Sequence, residues 1–130
     1  PNPRLRLTAP IIPDGAGLAT GQHAPRPEQI VKAATAETVL HMLEGVVHRD
    51  DGTGTNARVA GYRVAGKTGS SDTTGFFVGA VPANRPELVI LVAVDRPQAP
   101  AKALGNVVAA PSFRRIAEPL LAARQISTTR

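Results

Sequence analysis

The residues with the clearest chemical potential lie between Gly61 and Ser70, which reads Gly-Tyr-Arg-Val-Ala-Gly-Lys-Thr-Gly-Ser. This stretch places the cation of Lys67 beside the hydroxyls of Thr68 and Ser70. From Gly61 to Thr68 it matches G-x-x-x-x-G-K-[ST], the phosphate loop of nucleotide-binding proteins. On a strand, the same lysine and hydroxyls could instead bind a carboxylate and stabilise developing negative charge. These two interpretations require different elements around the same residues.

The elements on either side of this stretch argue against a phosphate loop. Such a loop follows a buried strand and opens a helix whose N–H groups hold the phosphates. The preceding Thr55-Asn-Ala-Arg is not a buried strand, and the following Gly-Ser-Ser-Asp-Thr-Thr-Gly is too rich in glycine and short polar residues for a helix. Residues 62–65 prefer a strand to a tight loop. A phosphate-loop nucleotide binder is therefore the remote alternative, supported only if Lys67→Ala abolishes tight binding of magnesium-ATP.

The composition is that of a globular protein and excludes several functional classes. The chain has 130 residues, 42% hydrophobic and 19% charged, enough for one core. Because cysteine is absent, disulfides, thiolate nucleophiles and Cys-ligated zinc are excluded. The formal net charge is +5, but the basic residues are scattered and aromatics make up only 3%, so no nucleic-acid partner is expected. No apolar run is long enough to cross a membrane.

The hydrophobic pattern predicts an α+β fold, in which helices pack on an antiparallel sheet. A helix is expected to begin at Thr35 as N-cap and to end at the Asp50-Asp-Gly52 turn. Short links between the strand candidates imply antiparallel pairing, and the continuous apolar run of the third predicts that both its faces are covered. A last helix should carry an apolar stripe and a kink at Pro119. The strands are Tyr62–Ser70, Phe76–Val81 and Leu88–Val94, and the last helix is Pro111–Arg124.

The two ends of the chain lack such patterns. Residues 1–34 are rich in proline and glycine, which predicts an irregular segment with a short strand at most, at Arg4–Thr8. Residues 125–130 form a polar tail that is expected to fray.

Lys67 belongs to one of four short motifs spaced along the chain. In sequence order they are Gly52-Thr-Gly54, Lys67-Thr-Gly69, Phe77-Val-Gly79 and Ala109-Ala-Pro111. Over roughly residues 28–122, this order resembles the C-terminal half of the transpeptidase domain of class B penicillin-binding proteins, closest to the division and sporulation branch. The resemblance implies the penicillin-binding and serine β-lactamase-like fold. The sequence departs from the family pattern where Ser70 replaces the more usual threonine and where Gly105-Asn106 replaces a pair of glycines. The link from Ser70 to Phe76 is also short, whereas many relatives carry a longer insertion there.

The resemblance also implies roles for four consecutive residues. Lys67 and Ser70 are the expected catalytic residues: Lys67 lines the cleft and helps to set the nucleophile's proton network, and the Ser70 N–H is one oxyanion-hole donor. Thr68, Gly69 and Ser70 are the expected substrate-binding residues, with two hydroxyls for a carboxylate and a glycine that allows close approach. No cofactor is implied, and the scattered His23, His41 and His48 predict no metal site.

The implied activity is D,D-transpeptidation, which cross-links peptidoglycan stem peptides by serine acyl transfer, in an enzyme that also binds penicillin. The family requires a Ser-x-x-Lys and a Ser-x-Asn, and this chain contains neither. The chain is therefore expected to be a C-terminal fragment, inactive alone, that needs the remainder of the domain upstream of Pro1. The expected partners are stem peptides and β-lactams. The expected location is the extracytoplasmic face of the cytoplasmic membrane, with an N-terminal anchor outside this chain.

Two related functions remain open. A β-lactam sensor or hydrolase shares the Lys-Thr-Gly motif, although the Gly52-Thr-Gly54 loop and Ala109-Ala-Pro111 favour the transpeptidase. A non-catalytic scaffold with a degenerate penicillin-binding domain is the second. An intact Ser-x-x-Lys upstream would support an enzyme, and its loss would support the scaffold.

Overall fold

A computed structural model describes residues 29–98 and 103–129. Its elements in chain order are the helix α1 (Ala33–His48), a 3-10 turn (Thr55–Ala57), the strands β1 (Ala65–Ser70), β2 (Thr74–Val81) and β3 (Leu88–Asp95), and the helices α2 (Gly105–Val108) and α3 (Ala110–Ala123). The predicted α+β fold is confirmed. The strand predicted at Arg4–Thr8, and most of the irregular segment 1–34, lie outside the described residues.

The strands form one antiparallel sheet in the order β1-β2-β3. Lys67 lies opposite Val78, and Phe77 lies opposite Val92. A tight turn joins β1 to β2, in which the Ser71 hydroxyl accepts hydrogen bonds from the N–H of Thr74 (2.9 Å) and of Thr73 (3.4 Å). This serine therefore satisfies backbone groups that a short turn would otherwise leave unpaired.

The core lies between one face of the sheet, called here the inner face, and α3. Phe77 of β2 and Phe113 of α3 meet edge to face, with ring centroids 4.9 Å apart. Ala117 and Leu121 extend the contact at helical spacing, and Val47 closes the core from the end of α1. The neighbouring Phe76 and Phe77 face opposite sides of the sheet, so Phe77 is fully buried in the core while Phe76 is 40% exposed.

Helix boundaries differ from the predicted ones. The first helix begins at Ala33 after Lys32, so Thr35 is not its N-cap. The last helix begins one residue early and continues through Pro119. Its apolar spacing predicts a core-facing stripe that includes Ile116 and Leu120, but both are exposed. The core contact is filled by Ala110, Phe113, Ala117 and Leu121.

The first strand is shorter than expected. It begins at Ala65 because Tyr62 closes a turn onto the Val59 carbonyl (3.1 Å) and Gly61 adopts a φ of +82°. The prediction that the polar tail from residue 125 frays is also wrong for the described residues 125–129. Ile126 is buried, its carbonyl accepts the Tyr62 hydroxyl (2.7 Å), and the Thr129 N–H donates to the Gly61 carbonyl (2.9 Å).

The other face of the sheet, called here the outer face, is left largely uncovered by the described residues, although Ala65 at the start of β1 is buried. It carries Phe76, Val89 and Leu91, of which the last two are 53% and 65% exposed. The expectation that both faces of β3 are covered therefore fails within the described part of the chain. Within that same part, no helix is both long and apolar enough to cross a membrane.

Candidate active site

The four predicted site residues occupy the end of β1, which is an edge strand of the sheet among the described residues. The Ser71 N–H donates to the Thr74 carbonyl (2.8 Å), and hydrogen-bonded pairs alternate along an antiparallel ladder. Lys67 and Gly69 therefore direct their backbone groups towards β2, whereas the backbone N–H and C=O groups of Thr68 and Ser70 point away from it. The open edge of β1 thus presents the N–H groups of Thr68 and Ser70, which no neighbouring strand among the described residues pairs, next to the lysine.

The side chains of these residues alternate between the two faces. Lys67 and Gly69 lie on the outer face, in register with Val78 and Phe76. Thr68 and Ser70 lie on the inner face, opposite Phe77 and Gly75. Because β1 is a strand and no helix follows it directly, the Gly61–Thr68 stretch does not form a phosphate loop.

The Lys67 ammonium lies at the open edge of β1. Its Nζ donates to the Thr68 carbonyl (2.8 Å), and it is 3.5 Å from Thr68 Oγ1. Lys67 is exposed, and no carboxylate within the described ranges forms an ion pair with it. The edge therefore combines an accessible positive charge with backbone donors, a combination that suits an anionic ligand.

The Thr68 hydroxyl is held by a residue that the sequence did not single out individually. Thr68 Oγ1 donates to Thr53 Oγ1 (3.1 Å), from the loop that follows α1. This loop lies close against the end of α1, because the Gly54 N–H donates to the Val46 carbonyl (2.8 Å). A Cβ on Gly52 would lie 2.4 Å from that carbonyl oxygen, so only glycine permits the approach. The Gly52-Thr-Gly54 motif is thus the signal from which Thr53 could have been found.

Aromatic rings occupy the space beside the two glycines that flank Lys67 and Thr68. A Cβ on Gly66 would lie 2.3 Å from Phe77 Cζ, and one on Gly69 would lie 2.1 Å from the Phe76 ring. Gly66 is buried beside Phe77, so a ligand cannot reach the backbone at this glycine. Gly69 is half-buried, and its cover, Phe76, is partly exposed.

A separate cavity of about 470 Å³ lies at the other end of β1, with His48, Arg58, Arg63 and Arg114 among its lining residues. It contains none of the four predicted site residues. Its arginines are occupied: Arg58 donates to the carbonyls of Val47, His48 and Arg49, Arg63 pairs with Glu44, and Arg114 pairs with Glu118. Arg58 thus caps α1, Arg63 joins α1 to the segment before β1, and Arg114 pairs within α3, which indicates a structural role for all three.

His48 acts as a neutral acceptor in this cluster. Its Nε2 accepts the N–H of Val64, just before β1, at 2.9 Å. Burial lowers the pKa of His48 below 6.5; the charges of Arg58 and Arg63 lower it further, and that of Glu44 opposes them. Protonation would remove the acceptor, so His48 links the end of α1 to the start of β1 only while it is neutral.

The stability of the chain should therefore fall as the pH drops from about 6.5 through the lowered pKa of His48. In that interval the unfolded chain binds more protons than the folded chain, so the free energy of unfolding decreases with falling pH. His48→Gln keeps an acceptor and removes the titration, so it should flatten this part of the profile. Urea unfolding between pH 7.5 and pH 5 measures the free energy of unfolding, with the exposed His41→Gln as the control. If this free energy changed with pH equally in His48→Gln and in the unsubstituted chain, His48 would not be the titrating group.

Comparison with known proteins identifies the fold in which this edge occurs. Residues 6–118 match the family described as the penicillin binding protein transpeptidase domain. This chain belongs to that transpeptidase family. PbpB of Mycolicibacterium smegmatis is 34% identical over 137 residues, and the peptidoglycan D,D-transpeptidase FtsI of Escherichia coli is 34% identical over 100 residues. The resemblance to class B penicillin-binding proteins is thereby confirmed.

Solved transpeptidase structures have the same fold. The apo transpeptidase domain of Burkholderia pseudomallei penicillin-binding protein 3 is 32% identical and superposes on 83% of this chain with a TM-score of 0.72. Penicillin-binding protein 3 of Mycobacterium tuberculosis, complexed with ampicillin, is 35% identical and superposes on 81% of this chain with a TM-score of 0.68.

The chain is short beside these transpeptidases. The alignments cover 92% and 68% of this chain, but only 21% and 17% of PbpB and FtsI. They cover 35% and 28% of the two solved chains. The chain thus spans about a fifth of the length of the curated relatives that it matches.

Proposed function

We propose that this chain is the lysine-bearing part of a peptidoglycan D,D-transpeptidase. The observation that carries the proposal is the open edge of β1, where the Lys67 ammonium and the outward-pointing N–H of Ser70 lie within one short stretch of strand. This edge occurs in a chain of the transpeptidase family, whose relatives include a named D,D-transpeptidase and a protein solved with ampicillin.

The proposed reaction is acyl transfer between stem peptides. A serine hydroxyl from a Ser-x-x-Lys segment attacks the carbonyl carbon of a D-Ala-D-Ala bond, the C–N bond breaks, and the leaving D-alanine takes a proton. The amino group of a second stem peptide then attacks the acyl-enzyme and releases the serine. The Ser70 N–H stabilises the oxyanion in both steps, and Lys67 stabilises charge and assists proton transfer. A β-lactam is proposed to stop the cycle at the acyl-enzyme.

The remainder of the transpeptidase domain is the proposed partner of this chain. The outer face of the sheet, with Phe76, Val89 and Leu91, is apolar and exposed in the described residues. The exposed Ile30 and Met42 of the α1 region add further apolar surface. Apolar surface of this extent indicates an interface rather than a solvated surface. The segment that covers it is proposed to supply the nucleophile, outside the cytoplasmic membrane.

Labelling with a fluorescent penicillin tests this proposal. A polypeptide that joins this chain to an upstream segment carrying Ser-x-x-Lys should form a covalent adduct, detected on a denaturing gel and mapped by mass spectrometry to that serine. The 130-residue chain alone should remain unlabelled, because it has no Ser-x-x-Lys. An adduct on the chain alone, or none on the longer polypeptide, would contradict the proposal.

A further inference from the structure

Two asparagines join the 3-10 turn to α2. The Asn56 N–H donates to Asn106 Oδ1 (3.0 Å), and Asn56 Nδ2 donates to the Asn106 carbonyl (2.9 Å), across 50 residues of sequence. Asn106 Nδ2 also lies 3.5 Å from Thr55 Oγ1. Two hydrogen bonds between the same two residues fix their relative orientation, which a single bond would leave free to rotate. We call this pair the asparagine clamp.

The clamp holds Gly105 against the end of β1. Gly105 is buried, and a Cβ there would lie 2.2 Å from the Phe76 carbonyl oxygen and 2.7 Å from that of Gly69. From this position the Gly105 N–H donates to Ser70 Oγ (3.0 Å). Because Gly105 precedes Asn106 directly, a change in the clamp would change the distance between the Gly105 N–H and Ser70.

This contact determines which way the Ser70 hydroxyl can donate. A serine hydroxyl has one proton to donate and two lone pairs that accept. The Gly105 N–H uses a lone pair, and Ser70 donates no hydrogen bond within residues 29–98 and 103–129. The Thr68 hydroxyl, in contrast, donates to Thr53. Of the two inner-face hydroxyls at this end of β1, Ser70 is therefore the one whose proton remains for an incoming acceptor.

We propose that Asn56 and Asn106 are positioning residues that set the Ser70 hydroxyl for donation to the ligand's carboxylate. This inference rests on the proposed function and on the role that the family resemblance implies for Thr68 and Ser70, whose hydroxyls would bind the ligand's carboxylate. Neither asparagine touches the ligand; both act through Gly105. The family pattern has a glycine at the position of Asn106. The clamp therefore depends on an asparagine that the family pattern does not include.

Amide hydrogen exchange in the 130-residue chain tests the clamp itself. Asn106→Ala should speed exchange at the Gly105 and Asn56 amides by about fivefold, the effect of losing one ordinary hydrogen bond. Asn106→Asp keeps the accepting oxygen and should restore protection. The exposed Asn84→Ala serves as the control and should leave both amides unchanged. Unchanged exchange at both amides in Asn106→Ala would overturn the clamp.

The effect on Ser70 is tested with two penicillins in the longer polypeptide, one with a free carboxylate and one with that group as its methyl ester. The quantity compared is the ratio of the two second-order acylation rate constants, free acid over methyl ester. Asn106→Ala should lower this ratio by about fivefold. A merely structural defect would slow both ligands equally and keep the ratio, which would overturn the positioning role. If the unsubstituted polypeptide is not acylated by either ligand, the proposed function fails, and the exchange result alone decides the clamp.

Discussion

Replacing Phe77 with alanine is expected to remove about 3–5 kcal/mol from the free energy of unfolding. Phe77 is fully buried on the central strand, meets Phe113 edge to face, and fills the space beside Gly66. Three elements therefore lose contacts at once, and rigid neighbours cannot close the cavity. Because small domains are stable by only about 5–15 kcal/mol, the variant should be largely unfolded at moderate urea.

Phe76→Ala is the matched control for this substitution. Phe76 is the preceding residue on the same strand, with the same side chain, but it lies on the outer face and is 40% exposed. Its removal should cost about 1 kcal/mol, the typical effect of a point substitution. Urea unfolding followed by circular dichroism measures both variants. If Phe77→Ala and Phe76→Ala lowered the free energy of unfolding equally, the core would not be centred on the inner face.

Lys67→Ala is expected to lower the acylation rate of the longer polypeptide by about 10²–10³-fold, the effect of removing one group that stabilises an oxyanion. Lys67 lies at the open edge of β1 and forms no ion pair within the described ranges, so its charge is available to the reacting groups. Because the side chain is exposed, the free energy of unfolding should change by less than about 0.5 kcal/mol. Stopped-flow measurement with a fluorescent penicillin gives the rate.

Two further variants separate charge from chemistry at this position. Lys67→Arg keeps a cation but replaces the compact ammonium with a planar group, so it should retain more of the rate than Lys67→Ala without restoring it. Lys32→Ala removes an exposed lysine just before α1 and should leave the rate unchanged. A Lys67→Ala rate within threefold of the unsubstituted protein would exclude the lysine from the reaction.

The strands and the location of the candidate site could be predicted from sequence because local signals specify them. Glycine and proline mark both ends of β2, and alternate residues of that strand point inward, which fixes its register with β1. Lys67, Thr68, Gly69 and Ser70 consequently lie together at a strand edge, as consecutive residues of one strand must. Their roles in catalysis and substrate binding stay predictions.

The supports of the site could not be predicted, because they depend on contacts between distant residues. The helix α2 has only the sequence Gly-Asn-Val-Val, which has low helix propensity, and it is held by Asn56 and Ser70. Asn106 departs from the family's pair of glycines, but nothing in the local sequence indicates its partner Asn56. For β3, the continuous apolar run predicts that both faces are covered, but the described residues cover only the inner face.

The turn between β1 and β2 has a consequence for how this protein can vary and be modified. Inserting one residue within β1 would exchange its two faces, moving Lys67 inward and the two hydroxyls outward. Inserting residues between Asp72 and Thr73 changes no strand pairing, since the ladder from Ser70–Gly75 to Ala65–Ala80 stays intact. The tip of this hairpin is therefore a place where evolution can add length, and where an experimenter can attach a reporter, without displacing the lysine.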